Sequence, residues 1–138
     1  MQAEEIDRAL SRWPEIDAER EVLVSLWPSD PSGVVTVDLD AQTRLSVVCG
    51  DALENLTAST LTFDAWFLDG FAPSRNSAMW SADLMQRVHD TTREGGSFAT
   101  YAAAGFVRRN LIAAGFAVER RPGFAGKREM LCGIRQPA

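Results

Sequence analysis

The sequence contains few of the residues that bind metals or form disulfides. It has two cysteines and one histidine, and no set of them is spaced to bind zinc or to build a disulfide framework. Cys49 and Cys132 each lie in an apolar run, so we expect both to be small core residues. His89 lies in a predicted helix, where a lone histidine is more often structural than catalytic. A zinc site and a disulfide-stabilised fold are therefore not predicted.

Long apolar stretches are also lacking. No segment approaches the roughly 20 apolar residues needed to cross a bilayer, and the N-terminal segment MQAEEIDRALSRW is acidic and amphipathic, unlike a signal peptide. With 46% apolar and 24% charged residues, the composition is typical of a globular domain that can bury a core. We expect a single domain over residues 1–138, soluble and located in the cytoplasm.

Basic residues are scarce in the first hundred residues and concentrated after them. The net charge is −5, yet residues 101–138 carry seven basic side chains against two acidic ones. A basic segment on an otherwise acidic domain suits a local contact with a phosphate backbone. A basic surface that meets only solvent is an equally acceptable interpretation of the composition alone.

Hydrophobic spacing predicts helices that alternate with strands. Two amphipathic helices flank Pro14, and two β-rich runs after them form a hairpin around residues 40–43. Gly95 and Gly96 are expected to end a later helix. The predicted helices cover residues 4–13, 15–27, 52–56 and 106–114, with one more that begins at Ser77 or Ser81 and ends at Thr92. The predicted strands cover residues 34–39, 45–49, 64–69, 97–101, 116–121 and 129–134.

The run from Asp64 to Asp69 is almost continuously apolar and ends in an acid. Strands of this kind are typically covered on both faces, so a central parallel strand is predicted here. The last two strands are separated by a turn-rich segment and should form an antiparallel pair. Together the elements predict an α/β sandwich with a mainly parallel sheet.

Ligands of open α/β sheets bind beyond the carboxyl ends of the strands. Three such ends carry candidate residues: Gly50 to Ala52, Leu68 to Pro73, and Thr100 to Phe106, whose small residues leave space at the strand end. Each also has a structural interpretation, because Asp51 could begin the next helix, Asp69 could hold its loop, and small residues also simply pack. A fourth candidate is the turn at residues 126–128, where the single lysine stands beside an arginine and could contact phosphate or lie in solvent.

Several segments together carry a resemblance to a known family. They are DAWFLDGFAP at residues 64–73, Asn76 with Met79 and Trp80, AGFVRR at residues 104–109, and KREMLCG at residues 127–133. On these motifs the chain resembles the methyltransferase region of the tRNA 5-methylaminomethyl-2-thiouridine biosynthesis bifunctional protein. The likeness covers essentially the whole chain and is strongest over residues 50–134.

The resemblance implies a Rossmann-like methyltransferase fold that uses S-adenosylmethionine as its cofactor. In that family the region methylates the 5-aminomethyl group of the wobble uridine or 2-thiouridine of tRNA. A fused FAD-dependent oxidoreductase domain supplies the amine. The implied partners are therefore tRNA and an oxidoreductase domain of this kind, which would carry FAD outside the matched region.

The resemblance also assigns residues to the site. Gly50, Asp51 and Ala52 correspond to the segment near the adenine of the cofactor. Asp69 corresponds to a residue beside the methyl group and is our candidate for both cofactor binding and catalysis. The expected contacts with the tRNA substrate are the loop and basic residues Gly70, Phe71, Pro73, Arg108, Arg109, Lys127 and Arg128.

A carboxylate at Asp69 suits the implied reaction. An aliphatic amine has a pKa near that of lysine, about 10.4, so only about one molecule in a thousand is neutral and nucleophilic at pH 7. An aligned carboxylate can orient the amine and accept its proton before the methyl group is transferred. We therefore expect Asp69 to be the catalytic residue.

One feature of the family is not found in the sequence. Methyltransferases of this fold carry a glycine-rich loop after their first strand and an acid at the end of the second, and no strand followed by Gly-x-Gly and a helix precedes residue 34. We therefore expect a partial methyltransferase domain. The alternatives are a catalytically inactive fragment, or an RNA-binding accessory piece, of the same fold. An unrelated nucleotide-binding domain such as half of a dehydrogenase is disfavoured, because it too needs that loop.

Overall fold

The computed structural model describes residues 1–70, 72–123, 126 and 128–137. These residues form two compact units, residues 1–51 and residues 52–138. The prediction of a single domain stays a prediction, and each unit is described by itself. No helix in the described ranges is long and apolar enough to span a bilayer.

The first unit contains two helices followed by a hairpin. Helix α1 spans Ala3–Leu10, and a short 3-10 turn at Pro14–Ile16 leads into helix α2, Asp17–Leu26. Arg20 on α2 pairs with Asp7 on α1 and with Asp17 on its own helix, and the hydrogen bond with Asp7 is the largest cause that raises the pKa of Arg20. The two helices predicted around Pro14 are thus confirmed.

Strands β1, Val34–Asp38, and β2, Arg44–Val48, form the predicted antiparallel hairpin. Asp40 shapes the connection, because its carboxylate accepts the backbone N–H groups of Gln42 at 2.7 Å and Thr43 at 2.8 Å. The inner face of the hairpin packs on the helices. The buried core of this unit consists of Ile6, Trp27, Val35 and Val37.

The second unit is built on a four-stranded sheet with the order β3-β4-β6-β5. Its strands are β3, Phe63–Phe67; β4, Thr92–Thr100; β5, Phe116–Pro122; and β6, Glu129–Arg135. Its helices are α3, Ala52–Ala58; α4, Ala82–Asp90; and α5, Gly105–Ala113. The β5–β6 pair is antiparallel, as predicted.

The prediction of a mainly parallel sheet is wrong for the described strands. Only β3 and β4 run parallel, while β6 lies between β4 and β5 and is antiparallel to both. The hairpin of β5 and β6 inserts its second strand next to β4, and this insertion makes the sheet mixed. Helices α4 and α5 pack on one face of it, around a core that contains Met85, Val107, Leu111 and Leu131.

Strand β3 is not the fully covered central strand that its sequence predicts. It is hydrogen-bonded to β4 and to no other described strand. Trp66 lies on the covered face, whereas Ala65 and Phe67 are exposed, and the Phe67 side chain is 88% exposed. An apolar run is buried on both faces only where both faces have a covering layer, and in the second unit the helices cover one.

The end of α4 also differs from the prediction. The helix ends at Asp90, before the two glycines. Its last turn is closed by side chains that follow it, because Thr91 and Thr92 donate their hydroxyls to carbonyls of that turn. Arg135 also donates to the carbonyl oxygens of His89 and Asp90. Strand β4 then runs through both glycines. A Cβ at residue 96 would lie 3.0 Å from the carbonyl oxygen of Asp64, so a glycine there allows β4 to approach β3.

The prediction that both cysteines are core residues is wrong for Cys49. Cys49 is exposed and Cys132 is half-buried. Cys49 follows the end of β2, beyond Val47, the last residue of that strand that packs on the core. His89, by contrast, packs as predicted, with its ring 5.0 Å from the ring of Phe116 and Gly115 directly beneath it.

Candidate active site

Asp69 lies at the carboxyl end of the parallel strand pair, two residues after β3 ends. The backbone that carries it is held to both strands, because the N–H of Leu68 donates to the carbonyl of Ala99 at 2.9 Å and the N–H of Asp69 donates to the carbonyl of Phe67 at 3.0 Å. The side chain itself is exposed. The position therefore presents a carboxylate at the edge of the sheet where ligands of this fold class bind.

Three cavities meet at Asp69. The first has a volume of about 170 Å³ and is apolar, with Ala52, Trp66 and Met79 in its wall. The second is an open cavity of about 510 Å³ lined by Asp69, Gly70, Asn76 and Met79. The third has a volume of about 240 Å³ and is lined by Phe67, Leu68, Asp69, Ala99, Thr100, Tyr101 and Met130.

Buried hydrogen bonds hold the walls of the first cavity in place. The indole Nε1 of Trp66 donates to the Oγ1 of Thr92 at 2.9 Å, and that hydroxyl donates to the carbonyl of Val88 at 2.6 Å. Trp80 is buried, and its carbonyl accepts the side-chain amide of Asn110 at 2.8 Å. Side chains held in this way keep a fixed shape, which is what a preformed ligand site requires.

The electrostatics of the three cavities favour a cation. Asp69 is the only charged residue among the described residues that line them. It makes no ion pair with another described residue, whereas Asp64, near the beginning of the same strand, is paired with Arg93 at 2.8 Å. A carboxylate beside apolar walls and without its own cation attracts positively charged ligand groups.

The structure brings together some of the residues predicted for the site. Ala52, Asp69 and Gly70 line the cavities, and Pro73 follows in a turn but lines none of the three. Gly50 and Asp51 belong to the end of the first unit, where Gly50 has a φ of 134° that favours glycine. Whether these two residues contact a cofactor stays a prediction.

The predicted tRNA contacts lie on two elements of the second unit. Arg109 is exposed on α5, and Arg108 beside it is half-buried. Arg128 is exposed immediately before β6. Two further predicted residues, Phe71 and Lys127, lie outside the described residues.

Sequence reasoning gave no role in the site to Tyr101, Asn76, Met79 or Met130, although Tyr101 lies in a candidate strand end and all four line the cavities. Tyr101 had a usable signal, since it directly follows β4, the parallel neighbour of the strand that leads to Asp69. Met130 had none, because its position depends on the pairing of β6 with β5 and β4.

Comparison with known proteins identifies the family. The sequence matches the family described as S-adenosyl-L-methionine-dependent methyltransferase over residues 14–136. The chain belongs to this family. The match confirms the resemblance inferred from the motifs, and S-adenosylmethionine is the cofactor that this methyltransferase family uses.

The curated relatives are longer proteins. The chain is 44% identical over 126 residues to the tRNA 5-methylaminomethyl-2-thiouridine biosynthesis bifunctional protein MnmC of Chromohalobacter salexigens, an alignment over 91% of this chain and 18% of that protein. It is 44% identical over 130 residues to the protein of the same name from Ectopseudomonas mendocina, over 94% and 20% of the two chains. The methyltransferase chain thus spans about one fifth of the length of these relatives.

A solved structure confirms the fold class. A crystal structure of MNMC2 from Aquifex aeolicus superposes with a TM-score of 0.68 at 24% sequence identity, covering 86% of this chain and 37% of that one. At this level of identity the likeness concerns the fold alone. It agrees with the α/β methyltransferase architecture predicted from the sequence.

The residues around Asp69 fit part of the family's cofactor. The apolar cavity beside Ala52 and Trp66 suits a flat ring, and the lone carboxylate of Asp69 suits a positively charged sulfur. Pockets for whole ligands of drug size measure about 300–1,000 Å³, so this cavity of about 170 Å³ can hold only part of such a molecule. Among the described residues that line the three cavities, none is basic, so none would pair with the carboxylate of the methionine part.

Proposed function

We propose that this chain takes part in S-adenosylmethionine-dependent methylation of the 5-aminomethyl group of the wobble uridine or 2-thiouridine of tRNA. The 44% identical relatives are named for the biosynthesis of 5-methylaminomethyl-2-thiouridine in tRNA, which supports this substrate. The observation that carries the proposal is the exposed carboxylate of Asp69, which stands where three cavities meet and has no cation of its own among the described residues.

Asp69 would act on the substrate amine. The amine is almost fully protonated at pH 7 and reaches the site as a cation, which an unpaired carboxylate attracts. Asp69 then orients the amine and accepts its proton, so that the nitrogen lone pair becomes available. The cofactor supplies the activated methyl group when it is bound, and Ala52, Trp66 and Asp69 are the described second-unit residues that would contact it.

Arg109 and Arg128 are the cations best placed to meet tRNA phosphates. Of the other basic residues after Thr100, Arg120 pairs with Glu129, Arg121 pairs with Glu119, and Arg135 binds carbonyl oxygens at the end of α4. Arg109 and Arg128 are exposed and make no ion pair with another described residue. The basic segment thus divides into residues used within the fold and residues available to a partner.

The proposed function is tested by methyl transfer. The chain is incubated with radiolabelled S-adenosylmethionine and with two tRNA preparations, one carrying 5-aminomethyl-2-thiouridine at the wobble position and one carrying 2-thiouridine. We expect transfer to the first preparation alone. Transfer to neither, with S-adenosylmethionine still bound in a calorimetric titration, would replace the proposal with the inactive fragment, and tRNA binding without cofactor binding would favour the accessory piece.

The tRNA contact is tested by salt dependence. Replacing Arg109 or Arg128 with Gln should lower tRNA affinity and reduce the slope of log affinity against log salt by about 1 each. Arg120→Gln is the matched control, because that side chain is already paired with Glu129. An equal loss of slope in the control would show that the contact is not specific to the two unpaired residues.

The rest of the activity of the longer relatives is also proposed rather than assigned to this chain. Their name describes a bifunctional protein, and the second function, an FAD-dependent oxidoreductase, would be a fused or associated partner that supplies the amine. A cytoplasmic location, where tRNA is modified, stays a prediction.

A further inference from the structure

The third cavity at Asp69 lies between the carboxyl ends of β3 and β4, and its lining includes the aromatic residues Phe67 and Tyr101. Phe67 and Asp69 line it from the end of β3, Ala99 and Tyr101 line it from the end of β4, and Met130 lines it from β6. The Tyr101 side chain is 49% exposed and that of Phe67 is 88% exposed. Two large aromatic residues thus line the same cavity as the Asp69 carboxylate, and both are exposed to solvent.

The size of this cavity suits a single planar ring. Its volume of about 240 Å³ lies below the roughly 300–1,000 Å³ of pockets that enclose whole ligands of drug size. A nucleotide base that is turned out of a loop presents a planar ring of this kind, and RNA loops are recognised by stacking such bases on aromatic side chains.

The backbone fixes Tyr101 relative to Asp69. The buried Thr100 accepts the N–H of Ala102 through its Oγ1 at 3.0 Å, which holds the turn that carries Tyr101. On the other side, the Leu68 N–H to Ala99 carbonyl bond ties the residue before Asp69 to the same strand end. The ring and the carboxylate are therefore held on adjacent, mutually bonded backbone segments.

We propose that Tyr101 stacks on the wobble base and thereby places the 5-substituent of that base beside Asp69. This inference rests on the proposed function for the identity of the base, and it assigns Tyr101 a specificity-determining contact with the substrate. The contact uses the face of the ring. The Tyr101 hydroxyl, which makes no hydrogen bond with another described residue, is not required.

The experiment measures base binding apart from methyl transfer. An anticodon stem-loop RNA with plain uridine at the wobble position is compared, by fluorescence anisotropy, with the same RNA in which that nucleotide is abasic. Stacking on an aromatic ring is worth about 5-fold to 150-fold in affinity per base, and we expect the wild-type chain to prefer the uridine RNA by this factor. Plain uridine has no amine, so Asp69 chemistry does not enter the result.

Variants of Tyr101 decide the assignment. Tyr101→Phe keeps the ring and should keep the preference, whereas Tyr101→Ala and Tyr101→Leu should bind both RNAs equally. Trp13→Ala is the matched control, because Trp13 is an aromatic residue of the first unit with a similar exposure of 48%; it should keep the preference. Circular dichroism confirms that each variant is folded.

Three outcomes would overturn the inference. They are a wild-type chain that binds both RNAs equally, a Tyr101→Leu variant that keeps the preference, and a Tyr101→Phe variant that loses it, which would indicate a contact through the hydroxyl. A wild-type chain that prefers the uridine RNA through Tyr101 but transfers no methyl group would overturn the proposed function and support the stacking contact.

Discussion

An aspartate lies near each end of β3, and only one of the two is paired with a cation among the described residues. Asp64 lies near the beginning of the strand, and Arg93 donates to both of its carboxylate oxygens at 2.8 and 2.9 Å. Asp69 lies just beyond the other end, makes no ion pair with another described residue and borders three cavities. The carboxylate of Asp64 contributes to stability through its ion pair, whereas the carboxylate of Asp69 is available to bind a ligand.

The strongest test of this comparison is to remove each charge in turn and measure methyl transfer. Asp69→Asn should lower turnover by about 10²-fold to 10⁴-fold, the usual contribution of a general base, because the amide cannot accept the proton of the amine. Cofactor affinity, measured by calorimetry, should fall by less than turnover, because the amide keeps the shape of the side chain and removes only its attraction for the positively charged sulfur. Asp64→Asn serves as the control and should leave turnover near the wild-type value; equal losses in both variants would show that the comparison is wrong.

Removing the hydrogen bond of Trp66, in the middle of β3, should lower the free energy of unfolding. Thr92→Val removes the hydroxyl that accepts the indole N–H of Trp66, and a donor left without a partner in a partly buried site costs about 1–3 kcal/mol. Urea denaturation measures the loss in free energy of unfolding. Thr57→Val on the exposed surface of α3 is the control and should change stability by no more than about 0.5 kcal/mol; a Thr92→Val variant as stable as that control would refute the role of this bond.

Removing the ion pair near the beginning of β3 should lower the free energy of unfolding by a smaller amount. Asp64→Asn breaks an exposed ion pair with Arg93, and pairs of this kind contribute about 0–1 kcal/mol. The loss of unfolding free energy should shrink as salt is added, because salt screens exposed charges. If the double variant Asp64→Asn, Arg93→Gln loses the sum of the two single changes, the pair has no interaction energy and Asp64 is not a structural carboxylate.

The smallest expected effect is a pH dependence of stability caused by Asp40, a third aspartate, whose carboxylate accepts backbone N–H groups. The backbone N–H of Gln42 is the largest cause that lowers the pKa of Asp40, followed by Thr43. A lowered folded pKa means that this contribution to stability is complete above the unfolded value, near 3.9, and is lost as pH falls through the folded value. The protection factors of the hairpin amides, which correct for the intrinsic pH dependence of exchange, should therefore fall in acid in the wild type. An equal fall in Asp40→Asn would exclude Asp40 as its source.

Local patterns predicted the elements that depend on neighbours in sequence. Leu84, Met85 and Val88 recur at helical spacing and are buried in α4, and the hydroxyl of Ser81 caps this helix by accepting the N–H of Leu84 at 3.2 Å. Asp69 could be proposed for the same reason, since a carboxylate after an apolar strand is visible in the sequence. These features need no knowledge of which strands pair.

Features that depend on long-range strand pairing could not be predicted from the sequence. The apolar run of β3 predicts burial on both faces, but the exposure of Phe67 depends on which layers cover the sheet. Tyr101 and Met130 meet Asp69 only because β4 pairs with β3 and β6 pairs with β4. The composition of the site around Asp69 therefore follows from the topology of the sheet.

The strand order has a consequence for synthesis on the ribosome. Strands β4 and β5 do not pair with each other, and each of them pairs with β6, which follows both in the chain. Domains generally fold as their chain emerges, N-terminal parts first. Until Glu129–Arg135 has left the exit tunnel, β4 and β5 each have an edge without its partner strand, and such an edge can pair with another chain.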